Sequence, residues 1–300
     1  MISRRTLTQG AIALLGSGVI GRSEAGANIG STTADFSAAM QRIEAASGGR
    51  LGVAFLDTST DEKLGYRTDE RFPMCSTFKL LAVAAILARV DKGEEKLDRR
   101  IRFQASEVIS KSPIITAHVG GEGLSLAELC EAALTLSDNT AANLILAALG
   151  GPSGLTGYIR TLGDAVTRLD RIEPALNEAV PGDLRDTTTP RAMVEDLRKL
   201  LSGNPLSVAS RQQLAAWLVA NKTGDARLRA GLPKDWRVGD KTGTGEHGTT
   251  NDVAVIWIPM GQYQFAPLIL SVYLTQTTAD ADARNATLAS VARAAAATIW

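Results

Sequence analysis

The sequence predicts an α/β protein of the α+β sandwich type. An antiparallel sheet built from both chain ends is flanked by helices, with an all-helical domain inserted between its two parts. Three observations carry this. Compact apolar runs of strand length, punctuated by Gly and Pro, lie near both ends of the chain. Residues 68–220 read instead as helical, and strands, then helices, then strands imply one sheet with an insertion. A chain of 300 residues also buries about three quarters of its unfolded surface, so a large core forms without staples.

Residues 1–27 read as an export signal. Arg4 and Arg5 precede the apolar run Ala11–Ile20, which is too short and glycine-rich for a bilayer span of roughly 20 residues. Ser3–Leu7 partly matches a twin-arginine signal, and Ala25, Gly26 and Ala27 supply small residues for cleavage. A periplasmic or secreted mature protein is expected, a monomer with no membrane segment. Asp35–Ala46 is predicted as a helix, Leu51–Leu56 as a strand, and Glu62–Arg67 as its hairpin partner. Residues 28–67 and 221–300 together form the predicted α/β domain.

Within the helical part, Leu80–Val90 is apolar nearly all round, which marks a buried helix. Ser125-Leu-Ala-Glu128 is a capping box opening a helix to about Leu136. Thr189-Pro190 is an N-cap followed by proline at the first helical position, and Ser207–Asn221 is a further helix. The segment 168–186 fits no period, holds Pro174, Pro181 and Gly182, and carries five acidic and three basic side chains. An irregular segment of that length in a compact domain is usually functional. Strands are predicted at Trp236–Thr242, Val253–Ile258 and Leu268–Thr275, and a closing helix over Ala279–Trp300.

Charge and composition narrow the function classes. Lys plus Arg and Asp plus Glu are both 32, so bulk charge gives no sign of nucleic acid or an anionic membrane. His118 and His247 are far apart and no H-E-x-x-H occurs, which argues against zinc hydrolysis; no phosphate loop is present. His118 is expected to be a structural hydrogen-bonding residue and His247 an exposed strand-end residue.

Four short patterns could carry chemistry. Ser76-Thr-Phe-Lys79 opens the buried helix, where residues three apart share a face and the free N–H groups favour a developing oxyanion. A lysine there is partly desolvated, so a neutral amine base is conceivable. Ser137-Asp-Asn139 lies between two helices and offers a proton-relaying hydroxyl and an amide for a substrate amide. Lys241-Thr-Gly-Thr-Gly245 ends a strand, with Thr242 and Thr244 on one face, Lys241 on the other, and Gly243 open to a ligand backbone. Glu173 with Asn177 sits in the irregular segment and could hold and activate a water. Taken singly, chance accounts for the first, and helix capping, an ordinary strand end and a solvated carboxylate are the better readings of the other three.

Together, S-x-x-K, S-D-N and K-T-G in this order are the signature of penicillin-binding proteins and class A β-lactamases. With these spacings the chain resembles a class A serine β-lactamase over essentially the whole mature region. Ser112-Pro113, the helix Cys130–Leu146 and the stretch Ala209–Leu214 add to the likeness. The resemblance implies a hydrolase acting on a cyclic amide, with a small β-lactam as substrate and no metal or cofactor. Ser76 would be the nucleophile, and the backbone N–H groups of Ser76 and Thr244 the oxyanion hole. Lys79, or Glu173 through water, would be the acylation base. Glu173 and Asn177 would position the deacylating water, and Ser137 would relay a proton to the departing nitrogen. Asn139 would bind the acylamino side chain. Lys241, Thr242 and Thr244 would face the substrate carboxylate. Arg171 and Asp186 match the ion pair at the neck of the family's Ω-loop, here residues 168–186.

The chain also departs from the family's pattern. Lys111 stands where many members have an aromatic at the mouth of the site, and Thr250 where many have an arginine for the substrate carboxylate. Arg227 matches the position used by another subgroup and is expected to be that anchor, with nearby Arg229 a solvated helix-end residue. Some family members tie the cysteine before the nucleophile to one just after K-T-G, where this chain has Gly245, and the family position that pairs with Cys130 is Val83 here, so the resemblance implies that both thiols, Cys75 and Cys130, are free. The alternatives are a penicillin-binding D,D-peptidase or a β-lactam sensor that stays acylated. Neither needs Glu173 in an Ω-loop, and the sensor needs a membrane helix.

Overall fold

A computed structural model describes residues 24–260, 263–264 and 267–299. The predicted export signal, apart from residues 24–27, lies outside them. Helix α1 spans Glu24–Ser47 and so begins well before the predicted Asp35.

Five strands form one sheet: β1 (Arg50–Asp57), β2 (Glu62–Tyr66), β3 (Arg237–Thr244), β4 (Thr250–Trp257) and β5 (Leu268–Thr275). Their order is β2-β1-β5-β4-β3, antiparallel throughout, so the N-terminal hairpin and the C-terminal strands share one sheet. Leu51, Val53 and Phe55 pack with Phe36 and Met40 of α1, while Ala54 and Leu56 face the second buried cluster. Burial on both faces explains why the β1 sequence is continuously apolar rather than alternating.

The longer helices of the middle segment are α2 (Phe78–Asp91), α3 (Leu126–Thr135), α4 (Asn139–Leu149), α5 (Gly151–Thr161), α6 (Pro190–Ser202) and α7 (Val208–Val219); α8 (Ala281–Ala296) closes the chain on the far face of the sheet. Every residue from Phe78 to Ala88 of α2 is buried. The predicted caps are made: Ser125 Oγ accepts from Glu128 N, and Thr189 Oγ1 accepts from Ala192 N. The stretch 130–146 is not one helix. It breaks at Leu136–Asp138, where Asp138 accepts from Ala141 N and caps α4. The physical reason is Asp138, whose short acceptor satisfies a free N–H of a new helix start better than it serves a helix interior.

Within 168–186 the only regular piece is a single 3-10 turn, Ala175–Asn177. A two-residue ladder pairs Phe72–Pro73 with Thr187–Thr188 and brings the end of this segment against the residues preceding Ser76. Cys75 and Cys130 are both buried free thiols, as expected.

Candidate active site

Ser76 sits in a 3-10 turn, Cys75–Thr77, that leads directly into α2. Cys75 holds φ at +46°, left-handed for a residue with a side chain. Such backbone is costly and persists where surrounding contacts enforce it. Here β3 and β4 enforce it. Asn251 Nδ2 donates to Pro73 O at 2.8 Å and Met74 O at 3.1 Å, and a Cβ on Gly243 would lie 2.7 Å from Met74 O. Glycine at 243 thus lets the strand bearing Thr242 and Thr244 approach the turn bearing Ser76.

Ser76, Ser137, Asn139, Asn177, Arg227, Thr242 and Thr244 all line one cavity of 380 Å³. Ser76 Oγ donates to Glu173 Oε1 at 3.1 Å, and Lys79 Nζ lies 3.0 Å from the same oxygen, with both side chains fully buried. Lys79 Nζ also donates to Ser137 O at 2.8 Å, Ser137 Oγ at 3.3 Å and Asn139 Oδ1 at 2.7 Å. Burial pushes the Lys79 ammonium below its ordinary range, opposed by the adjacent Glu173. Asn177 Nδ2 donates to Glu173 Oε2.

Ser137 is the hub between two lysines. Its φ of +57° turns its hydroxyl toward both, and Lys241 Nζ donates to Ser137 Oγ at 3.0 Å and to Thr242 O at 2.9 Å. Lys241 is fully buried and does not itself line the cavity. Burial, reinforced by Lys79, brings its ammonium down to about 7. Asp138, the middle residue of the triplet, is structural: Oδ2 accepts from Ile114 N and Ile115 N, and Oδ1 from Ala141 N.

The neck of the irregular segment closes as expected. Arg171 Nε lies 2.6 Å from Asp186 Oδ2, and Asp186 Oδ1 accepts from Asp170 N and Arg171 N at 2.8 and 2.9 Å. A residue not anticipated, Asn143, fastens the other side: Nδ2 donates to Glu173 O and Oδ1 accepts from Glu173 N, both at 2.9 Å. The signal was present, since Asn143 lies one helical turn beyond Asn139 on α4.

The two arginines are held differently, and for Arg229 the expectation needs correction. Arg227 does line the cavity, but its fork is not free. Nη1 donates to Gly243 O and Asn251 O at 2.8 and 2.7 Å, Nε to Asn285 Oδ1 at 3.1 Å, and only Nη2, on Thr244 Oγ1, reaches the cleft. Those two carbonyls lie where β3 and β4 run out, and the guanidinium satisfies them. Arg229 is not solvated. Its Nε lies 2.5 Å from Oδ1 of fully buried Asp240, and Nη2 donates to Leu218 O and Val219 O. His118, by contrast, caps Ile114 O with Nδ1 at 2.8 Å, and His247 is exposed.

Comparison with known proteins follows the same line. A model of the beta-lactamase enzyme family matches residues 35–299. The chain is 49% identical over 254 residues to Beta-lactamase CTX-M-97 of Escherichia coli, covering 85% of this chain and 86% of that protein. It is 50% identical over 251 residues to Beta-lactamase OXY-1 of Klebsiella oxytoca, covering 84% of each. Among solved structures, the class A beta-lactamase of the last common ancestor of Gram-negative bacteria (GNCA4) superposes with a TM-score of 0.86 at 63% identity, covering 88% of this chain and 99% of that one. The putative class A beta-lactamase PenP of Rhodopseudomonas palustris superposes with a TM-score of 0.85 at 57% identity over the same shares.

Proposed function

Since this chain belongs to the beta-lactamase enzyme family, and within it to class A, we propose roles for the side chains gathered in its cleft. The protein is a β-lactamase. It hydrolyses the β-lactam amide of penicillins and cephalosporins through a serine acyl-enzyme, the activity that confers resistance to these antibiotics. The observation that carries the assignment of roles is the placement of Glu173 Oε1 within hydrogen-bond range of both Ser76 Oγ and Lys79 Nζ.

Ser76 Oγ attacks the β-lactam carbonyl carbon and passes its proton to Glu173, with Lys79 as the neighbouring relay. Lys79 serves better as relay than as first acceptor, because Ser76 donates to Glu173 and not to the amine. The negative charge that develops on the carbonyl oxygen is held by the N–H groups of Ser76 and Thr244. The ring C–N bond breaks, and the nitrogen takes a proton from Ser137; Lys79 replaces that proton on Ser137 and takes in turn the one held by Glu173, which returns to the carboxylate, while Lys241 steadies the Ser137 oxygen. Glu173, aligned by Asn177 and Asn143, then takes a proton from water as that water attacks the ester, and Ser76 leaves with a proton. Asn139 binds the acylamino group, and Thr242, Thr244 and Arg227 hold the substrate carboxylate, with Lys241 adding positive charge from beneath.

Residues 28–67 with 221–300 act as the α/β unit and 68–220 as the helical unit, a division supported by the two buried clusters. The cleft lies where they meet. Export by the twin-arginine-like segment, to the periplasm or outside the cell, and a monomeric state complete the reading. Among the described residues no helix is long and apolar enough to cross a membrane.

The test is hydrolysis of one penicillin and one cephalosporin, with intact-protein mass spectrometry during turnover. Regeneration of free enzyme is expected. Persistent acylation of Ser76 would favour the peptidase or sensor alternatives, and hydrolysis that survives Ser76→Ala would overturn the roles assigned here.

A further inference from the structure

The cleft over Ser76 does not end at Asn139. A second cavity of 580 Å³, beside the first at 380 Å³, runs between the Ω-loop and the turn after β3. Lys111, Asn139, Asn177 and Thr244 line both and so form the passage between them. If Asn139 holds the acylamino group, whatever that group carries passes Lys111 on its way into the second cavity.

Lys111 is set on a rigid base. Its backbone is left-handed, with φ of +60°, and its carbonyl accepts from Asn139 N at 3.0 Å. On either side, Ser110 O accepts from Asn139 Nδ2 at 3.1 Å, and Ser112 Oγ shares a hydrogen bond with Thr140 Oγ1 at 2.7 Å. The side chain itself is exposed and makes no ion pair or hydrogen bond among the described residues. Two carboxylates line the second cavity: Glu178 is paired with Arg171, while Glu246 stands exposed on the opposite rim. A cation with no partner among the described residues, in the passage shared by the two cavities, is a recognition element for the opposite charge. An ammonium on a flexible stem tolerates variable placement of that charge, and it cannot stack on a ring as an aromatic at this position would.

We propose that Lys111 determines side-chain specificity, so that the enzyme favours β-lactams carrying a second anion on the acylamino substituent over neutral counterparts. This rests on the β-lactamase reading and adds to it a substrate class. Carbenicillin and benzylpenicillin form a matched pair, since they differ by one carboxylate on the side-chain α-carbon. The measurement is the ratio of their kcat/KM values, in which general damage to the site cancels. Lys111→Gln is expected to lower the carbenicillin-to-benzylpenicillin ratio by about two- to fivefold, the range for a solvent-exposed ion pair. Lys111→Arg is expected to keep it. In the wild-type enzyme, raising salt from about 10 mM to 0.5 M should lower the ratio as screening shortens, and this sensitivity should be weaker in Lys111→Gln. An unchanged ratio in Lys111→Gln overturns the proposal. So does a salt-independent ratio in the wild type, which decides the matter alone should the variants not fold. Failure of the underlying reading looks different: the wild type would then hydrolyse neither penicillin.

Discussion

Beneath the cleft, Lys79 and Glu173 are both fully buried and lie 3.0 Å apart. At the seam between α5 and α6, by contrast, two carboxyls are buried against each other, Asp164 after α5 and Asp196 on α6. In the cleft Lys79 and Glu173 each meet an opposite charge. At the seam, Asp164 Oδ1 accepts from Val166 N at 2.6 Å and Thr167 N at 3.0 Å, but among the described residues its Oδ2 and both Asp196 oxygens find no donor, and the buried Tyr158 hydroxyl finds no partner. The nearby cations face elsewhere: Lys199 Nζ donates to Leu162 O, and Arg160 Nη1 to Asp164 O and Thr167 O. Burial and the neighbouring Asp164 push the Asp196 carboxyl up to about 8. Asp164 moves the other way, below the usual carboxylate range, because its hydrogen bonds outweigh its own desolvation. The seam is therefore satisfied by one shared proton. The comparison teaches that burial alone does not decide whether a carboxyl is charged; the partner does.

The largest expected effect breaks the cleft side of the comparison. Glu173→Ala removes the acceptor for Ser76 and the partner of Lys79. Steady turnover should fall by roughly 10²–10⁴-fold, the range for a positioned acid–base group, with Ser76 acylated and visible in the intact mass. Steady turnover near the wild-type rate would contradict the assignment.

Arg229→Ala is next, and it strips buried Asp240 of its guanidinium, leaving Asn221 Nδ2 as its remaining side-chain donor. Asp240 would lose its charged partner, at a cost of about 3–5 kcal/mol in unfolding free energy. A denaturant midpoint unchanged from the wild type would show that Arg229 is dispensable.

Asp196→Asn sharpens the other side. The folded carboxyl titrates near 8 and the unfolded one near the ordinary 3.8, so the folded state holds a proton that the unfolded state sheds between those values. Stability should therefore fall as pH rises from about 4 to 8 and level off above that. The asparagine needs no proton and can donate to Asp164. It should flatten that slope, leaving the variant more stable than the wild type at pH 8 by an amount on the order of a few kcal/mol. Parallel melting profiles of the two proteins across that range would refute the shared proton.

The smallest effect concerns a cation that touches both structure and substrate. Arg227→Ala should lower kcat/KM on a carboxylate-bearing penicillin by about 1.5–3 kcal/mol, mostly through KM. Since Nη1 also serves two backbone carbonyls, a drop in melting temperature should accompany it. Unchanged KM and unchanged melting together would remove Arg227 from both roles.

The strands, the caps at Ser125 and Thr189, and the S-x-x-K, S-D-N and K-T-G patterns are legible because each is local. Period, cap and motif are written within a few consecutive residues, where backbone geometry alone decides which side chains share a face. Asn143 was within reach of the same reasoning, one turn from Asn139. The arginines were not. Arg227 and Arg229 look alike in sequence, and only the fold that places Gly243 opposite Asn251, and buries the Asp240 side chain of β3 beside Arg229, gives them different work.

The sequence by itself thus determined the sheet built from both ends, the helical insertion and the identity of the reacting groups. The tertiary structure alone decided which buried charges are paired, which carboxyl keeps its proton, and that Lys111 stands unpartnered at a passage between two cavities. The reason is physical. Secondary structure follows from neighbours along the chain, whereas the charge state of a buried group follows from whatever distant segment packs against it, and in a medium of low polarity that partner outweighs the residue's own chemistry.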